Sequence, residues 1–164
     1  MPTIIVIAHN LRSTHNIGSL LRTAEGLGVS EVIMTGYTPH PQQIDDERLP
    51  HISRKIHAQI SKTALGAENS QAWNYQEDVR TVLQKLRLDG FVIAGLEQSN
   101  ESIKLPDYRS PAKIAVLLGS EVTGIDPLLQ ASCDVLLEIP MFGSKESFNV
   151  VQSAAMALYQ LVFK

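Results

Sequence analysis

The sequence of 164 residues has little of several features that mark common classes of protein. It holds one cysteine, Cys133, which excludes an internal disulfide and a zinc site built on cysteines. No apolar run approaches the ~18 residues of a membrane span, and residues 1–10 lack the basic region and cleavage site of a signal peptide. With 14 basic and 17 acidic residues, the chain also lacks the basic surplus usual in nucleic-acid-binding proteins. These absences predict a cytoplasmic globular protein and leave its ligand open.

Two common nucleotide-binding motifs are also absent. The first apolar run, residues 3–8, is followed by HNLRSTHNIGSLLRTAEGLG. The glycines of this stretch do not have the spacing of G-x-G-x-x-G, and no P-loop is present. A flavodoxin-like small-molecule binder, the alternative for such a chain, would need a phosphate-binding loop at this place. A nucleotide ligand would therefore bind by another route.

Apolar runs typical of buried strands alternate with helical patterns along the whole chain. Strands are predicted at residues 3–8, 31–36, 72–75, 90–96, 113–118 and 133–139. Helices are predicted at residues 16–27, within 48–68, at 76–88, from 126 onward and at 150–163, and residues 97–110 are predicted to be a polar loop. This alternation predicts one α/β domain over residues 1–164, with a mostly parallel sheet and helices on both faces.

The helix predicted at residues 16–27 has one clear buried face. Asn16 is a good N-cap residue, so we expect the helix to begin there. The apolar positions that recur at helical spacing are Ile17, Leu20, Leu21, Ala24 and Leu27. At ~100° per residue, Arg22 points away from this face and is presented outward. On its own this is an ordinary surface arginine.

The last predicted helix, residues 150–163, is apolar nearly all round. Such a helix must be buried on more than one side. In a chain this small, one side can be the sheet and the other a partner subunit. The polar, glycine-containing stretch IPMFGSKESFN runs directly into this helix, which suggests a loop held as part of a site.

Three motifs, in order, resemble those of the SpoU/TrmH branch of the SPOUT superfamily of RNA ribose 2'-O-methyltransferases. The first is HNIGxxxRTA at residues 15–24, and the second is GSEVTGI at residues 119–125. The third is IPMFGSKESFNV at residues 139–150. Val122 replaces a glycine of the second motif, and Val151 replaces a serine that follows the third. The resemblance covers the whole chain.

The resemblance implies a C-terminal trefoil knot, roughly at residues 90–164, although true knots are nearly absent from proteins. It also implies S-adenosyl-L-methionine as cofactor and a homodimer with the active site at the subunit interface. The residues that the family's motifs assign to cofactor binding are Gly95, Leu96, Leu118, Gly119, Ile139, Met141, Ser147 and Phe148.

The same resemblance assigns catalytic roles to five residues: Arg22, Glu121, Ser147, Asn149 and Asn16. A guanidinium does not readily give up its proton, so Arg22 is expected to stabilise the developing alkoxide and to bind the adjacent RNA phosphate rather than act as a base. Ser147 and Asn149 would position the ribose, and Glu121 would steer Arg22. No metal is expected, because the cofactor leaves as a neutral thioether.

A local basic segment supports contact with RNA. Residues 48–62 hold no acidic residue and include Arg48, Arg54, Lys55 and Lys62, which could contact phosphates. A solvated helix face is the other interpretation of this segment.

We expect tRNA as substrate, because no added RNA-binding domain is seen, with rRNA as the alternative. A partner protein could supply RNA affinity, and a catalytically silent knotted RNA- or protein-binding relative is the remaining hypothesis.

Overall fold

The structure, a computed structural model, describes residues 1–164. Its strands are β1 (Thr3–His9), β2 (Glu31–Thr35), β3 (Trp73–Gln76), β4 (Val92–Leu96), β5 (Ile103–Lys104), β6 (Lys113–Leu118) and β7 (Val135–Glu138). Its α-helices are α1 (Thr14–Gly26), α2 (Pro50–Ala64), α3 (Ala67–Ser70), α4 (Val79–Leu88), α5 (Pro127–Ala131) and α6 (Val150–Phe163), and a 3-10 turn spans Leu105–Asp107. No helix has the length and apolar character needed to cross a membrane.

The strands form one seven-stranded sheet in the order β3-β2-β1-β6-β4-β7-β5. Every neighbouring pair is parallel, which confirms the predicted parallel sheet. In β1, Ile4 and Val6 face a core shared with α1 and α6, while Ile5 and Ile7 face a core shared with α4 and α5. Because successive side chains of a strand point to opposite faces, this division shows that helices cover both faces.

Helix α1 begins earlier than predicted. Its N-cap is Ser13, whose hydroxyl accepts a hydrogen bond of 3.2 Å from the backbone N–H of Asn16. Asn16 therefore lies inside the first turn, and the prediction that it caps the helix is wrong. Serine is as good an N-cap as asparagine, so local preference could not choose between the two positions. The predicted buried face and the exposed position of Arg22 are confirmed.

Close packing between α1 and α2 explains the glycine of the first motif. A Cβ atom at Gly18 would overlap the Ile60 carbonyl oxygen and the Thr63 hydroxyl of α2. Any side chain at this position would push the two helices apart. Gly18 thus allows α2, which carries most of the basic segment, to lie directly on α1.

The segment predicted as a polar loop contains the edge strand β5. Ile103 pairs with Leu137, and Lys104 pairs with Glu138. A strand of two residues has no periodicity to detect, so the sequence pattern could not reveal it. Its consequence for topology is that β7 lies between β4 and β5, which are consecutive in the chain.

Helix α6 buries one side against the rest of the chain and leaves the other open. Its buried residues are Ala154, Ala157, Leu158 and Leu161. On the other side Tyr159 is 61% exposed and Phe163 is 65% exposed, and their rings touch with centroids 4.7 Å apart. The side of α6 that a partner subunit was expected to cover is therefore exposed in the single chain.

Candidate active site

A cleft of about 510 Å³ lies at the carboxyl ends of β4, β6 and β7. Its walls are the segments that follow these strands, together with the N-terminus of α6. The carboxyl edge of a parallel sheet is the usual place for a ligand in α/β proteins. The volume falls in the range of small-molecule and cofactor sites.

The structure brings together seven of the eight residues predicted to bind a cofactor. Those that line the cleft are Leu96, Leu118, Gly119, Ile139, Met141, Ser147 and Phe148. Gly95 does not line it. A Cβ atom there would come within 3.0 Å of Leu136 and Cys133, so this glycine allows close packing beside β7. The period of two in a strand places neighbouring residues on opposite faces, which separates Gly95 from Leu96.

Sequence reasoning missed several residues of the cleft wall. They include Glu97, Gln98, Thr123, Glu138, Glu146 and Ser153. Glu97 and Gln98 stand directly after an apolar strand, a position that could have marked them as candidates. With Glu121, the wall carries four carboxyl groups, which favour a ligand bearing positive charge. No group of three or more His, Cys, Asp or Glu side chains is arranged to hold a metal ion.

The second motif forms a tight loop whose backbone makes part of the wall. Ser120 and Gly124 exchange two backbone hydrogen bonds of 2.9 and 3.1 Å. Gly124 has a φ of +67°, a conformation that side chains disfavour. A Cβ atom at Gly119 would overlap the backbone of Gly124, so even alanine cannot fit there without moving the loop. Val122, which replaces a family glycine, lies exposed at the rim.

Glu121 connects the second motif to the first. Its carboxylate accepts hydrogen bonds from the backbone N–H groups of Arg12 and Ser13, at 3.0 and 3.1 Å, and from the side-chain amide of Asn16 at 3.1 Å. Burial of the carboxyl group raises its pKa, but these hydrogen bonds outweigh burial and leave the pKa of Glu121 below its ordinary value. Glu121 is therefore an ionised anchor of the β1–α1 loop.

Asn149 connects the third motif to the same network. Its side-chain amide donates a hydrogen bond of 3.3 Å to Asn16 Oδ1, and its Oδ1 accepts one of 2.9 Å from the Val151 N–H at the start of α6. One chain of hydrogen bonds thus runs from Glu121 through Asn16 to Asn149, joining all three motifs at the mouth of the cleft. We call these three residues the motif relay.

Arg22 stands apart from the motif relay. Its side chain is exposed, and its guanidinium makes no hydrogen bond or ion pair with any of residues 1–164. It lies six residues after Asn16, which places it about 9 Å farther along α1 and about 120° around it. Glu121 therefore forms no hydrogen bond or ion pair with Arg22 within this chain, and the expectation that it steers Arg22 stays a prediction. Ser147 is likewise exposed, on the wall of the cleft.

The four predicted RNA-binding residues of the basic segment, residues 48–62, fall into two groups. Arg48 is tied down inside the chain, because its guanidinium pairs with Asp46 and donates to the carbonyl oxygens of His40 and Pro41. Its side chain is only 23% exposed, so it organises the loop before α2 rather than facing a ligand. The structure leaves the other three basic residues exposed on α2, namely Arg54, Lys55 and Lys62.

The sequence of the chain is similar to those of two RNA methyltransferases. The chain is 33% identical, over 96% of its length, to the 23S rRNA (guanosine-2'-O-)-methyltransferase RlmB of Neisseria meningitidis, and it covers 57% of that protein. It is 31% identical, over 96% of its length, to the mouse tRNA (guanosine(18)-2'-O)-methyltransferase TARBP1, of which it covers 9%. The chain thus spans little more than half of the length of the first relative and less than a tenth of the length of the second.

A solved structure shares the fold. The AdoMet-bound rRNA methyltransferase of Sinorhizobium meliloti superimposes with a TM-score of 0.81 at 18% identity, over 96% of this chain and 55% of that one. In sequence, residues 3–159 match the SpoU rRNA Methylase family. That match includes the residues of all three motifs, so the chain belongs to the SpoU rRNA Methylase family.

Proposed function

We propose that this chain is an S-adenosyl-L-methionine-dependent RNA ribose 2'-O-methyltransferase. The observation that carries the proposal is the motif relay, which joins three separate family motifs at one cleft. The names of the two relatives support it, since both transfer a methyl group to the 2'-oxygen of guanosine in RNA. The AdoMet bound to the similar structure supports the cofactor, AdoMet being S-adenosyl-L-methionine.

The cleft fits this cofactor in size and in charge. Its volume of about 510 Å³ accommodates a nucleoside-sized ligand. Four carboxyl groups on its wall, those of Glu97, Glu121, Glu138 and Glu146, suit the positive charges of a sulfonium and an ammonium group. When bound, S-adenosyl-L-methionine would supply a methyl group on sulfur that a ribose oxygen can accept. Backbone groups of Leu118 and Ile139 and the Ser147 hydroxyl would hold it.

The motif relay keeps the site in shape rather than moving protons. Glu121 has a pKa below its ordinary value and accepts three hydrogen bonds from other residues, so it is a poor base at neutral pH. Asn16 and Asn149 fix the start of α6 next to Ser147, whose free hydroxyl can bind the ribose. The 2'-hydroxyl proton would pass to an RNA phosphate or to a neighbouring side chain.

Arg22 acts from the second subunit of a homodimer. Its distance from its own motif relay, and its lack of any partner within the chain, support an action across an interface. There its guanidinium would stabilise the negative charge that develops on the ribose oxygen. The exposed side of α6 supports the dimer, because Met156, Tyr159 and Phe163 form an apolar surface beside Leu105 and Pro106.

The trefoil knot is part of the same proposal. Strand β7 lies between β4 and β5, and residues 97–102 join these two strands across it. A connection that straddles a strand supplies the loop through which a C-terminal segment can thread. The segment after β7 forms the cleft wall before it enters α6, so threading would hold that wall in place.

RNA is the substrate, and its phosphates would meet the exposed basic residues of α2. Arg54, Lys55 and Lys62 provide that charge, although the net charge of the chain is −3. The relatives act on rRNA in one case and on tRNA in the other, so the expected preference for tRNA stays a prediction. An accessory RNA-binding protein is compatible with the weak overall charge.

Methyl transfer from labelled S-adenosyl-L-methionine to purified total tRNA and total rRNA tests the function. We expect labelling of one of the two pools, and mass spectrometry of digested RNA from a deletion strain should show one missing 2'-O-methylnucleotide. Cofactor binding without transfer to either pool would favour the catalytically silent alternative. Absence of both binding and transfer would contradict the proposal.

Hybrid dimers test the action of Arg22 across the interface. One subunit carries Arg22→Ala, and the other carries Thr123→Trp, which fills the cleft from its exposed rim. Gly119→Trp is unsuitable, because it would displace the backbone of Gly124. Hybrids should regain about one working site per dimer, whereas each parent dimer stays inactive. Inactive hybrids would mean that Arg22 works within its own chain.

A further inference from the structure

An exposed aromatic and arginine pair lies outside the cleft and outside all three motif matches. Tyr37 follows β2 and is 56% exposed. The Arg12 guanidinium lies 5.9 Å from the centre of its ring and forms no ion pair. An aromatic ring beside an arginine is a combination that proteins use to bind unpaired bases, by stacking and by attraction of the phosphate. Neither residue has a role in the proposed methyl transfer.

The two loops that carry this pair are fastened to each other. Asn10 has a φ of +56°, an unusual conformation for a residue other than glycine, and its Oδ1 accepts a hydrogen bond of 3.1 Å from the Tyr37 N–H. The Leu11 N–H donates to the Thr38 hydroxyl at 3.1 Å. Strained backbone of this kind persists where surrounding contacts enforce it, often at functional sites. Tyr37 is thus presented to solvent on a rigid support.

The pair lies on the same edge of the sheet as the cleft. The Arg12 N–H donates to the carboxylate of Glu121, which lines the cleft. Tyr37 follows β2, which lies two strands from β6 in the sheet order. Two strand spacings amount to roughly 10 Å. A nucleotide next to the one in the active site could therefore reach the ring.

We propose that Tyr37, with Arg12, forms a stacking site for an unpaired RNA base that flanks the methylated nucleotide. The proposal rests on the proposed function, because it assigns a second contact for the same RNA. Stacking accepts any base, so this site would recognise an unstacked strand rather than a particular sequence. The enzyme would then favour loops and bulges over paired regions of its RNA.

Binding of short labelled strands tests the site without knowledge of the natural substrate. The probes are a twelve-nucleotide oligouridylate and an abasic ribose-phosphate strand of the same length, with affinity measured by fluorescence anisotropy at fixed salt. Tyr37→Ala should weaken binding of oligouridylate about tenfold or more and leave binding of the abasic strand unchanged. Tyr37→Phe, the matched control, should bind both strands like the wild type. Arg12→Ala should weaken both, because the phosphates remain in the abasic strand.

Three results would overturn the stacking site. They are unchanged oligouridylate binding by Tyr37→Ala, equal losses on both strands, and a wild type that binds neither strand. Thermal unfolding of each variant shows that the loops stay folded. Methyl transfer by the wild type is measured in parallel with total tRNA and rRNA. If that transfer occurs while Tyr37→Ala binds normally, the stacking site fails and the proposed function stands, whereas absence of transfer defeats the proposed function.

Discussion

Two loops at the carboxyl edge of the sheet, residues 36–49 and residues 139–148, differ in their hydrogen bonding. The first is fastened by Thr38, which bonds to β1, and by Arg48, which bonds to Asp46 and to two carbonyl oxygens. Residues 139–148 make no hydrogen bond with any other part of the chain. Yet the second loop supplies five residues of the cleft wall.

This difference suggests that the first loop stabilises the fold and the second binds a ligand. The polar groups of residues 36–49 form hydrogen bonds within the chain, so the side chains of this loop contribute to stability. The open loop leaves its backbone and the Ser147 hydroxyl available to a ligand or a second subunit. Segments that bind are often drawn from the less stable part of a fold, because their polar groups must change partners. The comparison predicts that substituting a side chain bonded within the chain lowers stability, whereas substituting a side chain with no partner within the chain lowers activity.

Two arginines give the largest expected contrast. Arg22→Ala should lower methyl transfer by about 100-fold or more, the scale for removing one preorganised charge from a transition state, and leave thermal unfolding unchanged. Arg48→Ala should instead lower the free energy of unfolding by about 1–3 kcal/mol, since it removes charged hydrogen bonds from the loop before α2. Arg22→Lys should recover activity only in part, because a point charge cannot replace the planar fork. A large loss of stability in Arg22→Ala would contradict this contrast.

Substitutions in the motif relay should lower stability, whereas substitution of Ser147 should affect only ligand binding and activity. Glu121→Gln places an N–H donor against the N–H groups of Arg12 and Ser13, and should cost about 1–3 kcal/mol of unfolding free energy. Ser147→Ala removes a hydroxyl that has no partner in the chain, so stability should stay within about 0.5 kcal/mol of the wild type. Both should reduce methyl transfer. Denaturant unfolding and kinetics on each variant separate the two effects, and equal stability of both variants would argue against the relay.

Hydrogen exchange directly measures how well the backbone amides of the two loops are protected from solvent. Amides of residues 139–148 should exchange fast in the free protein and about tenfold more slowly when S-adenosyl-L-methionine is present at ten times its dissociation constant. Amides of residues 36–49 that bond within the chain should be slow and should not respond. Mass spectrometry of the exchanged protein resolves both peptides. Equal responses of the two loops would show that the cofactor does not bind against the open loop.

Acidification gives the smallest expected effect, and it acts on the fastened loop. His40 is buried against the Tyr75 ring, and burial lowers its pKa below the ordinary 6.5. The unfolded chain therefore binds a proton first, so the stability due to neutral His40 is present above pH 6.5 and declines as the pH falls toward the lowered pKa. The slope is at most about 1.4 kcal/mol per pH unit. His40→Phe should flatten this part of the stability curve, between pH 6.5 and the lowered pKa of His40.

Much of the fold was accessible from the sequence because it depends on local periodicity. The apolar runs marked six of the seven strands, and the 3.6-residue period of α1 separated its buried face from Arg22. The resemblance of the motifs identified the family and nine of the residues that line the cleft. Each of these inferences uses residues that are near one another in the chain, where repeat and spacing carry the information.

Tertiary structure decided which polar groups meet. Glu121 and Asn16 are 105 residues apart in sequence, and Asn16 and Asn149 are 133 apart, so no local pattern could pair them. Arg48 looked like a free basic residue until the fold placed carbonyl oxygens of the preceding loop around it. Gly95 was separated from the cleft by the face on which it lies. Hydrogen-bond partners are chosen by proximity in space, and for a parallel sheet that proximity is set by strand order rather than by chain order.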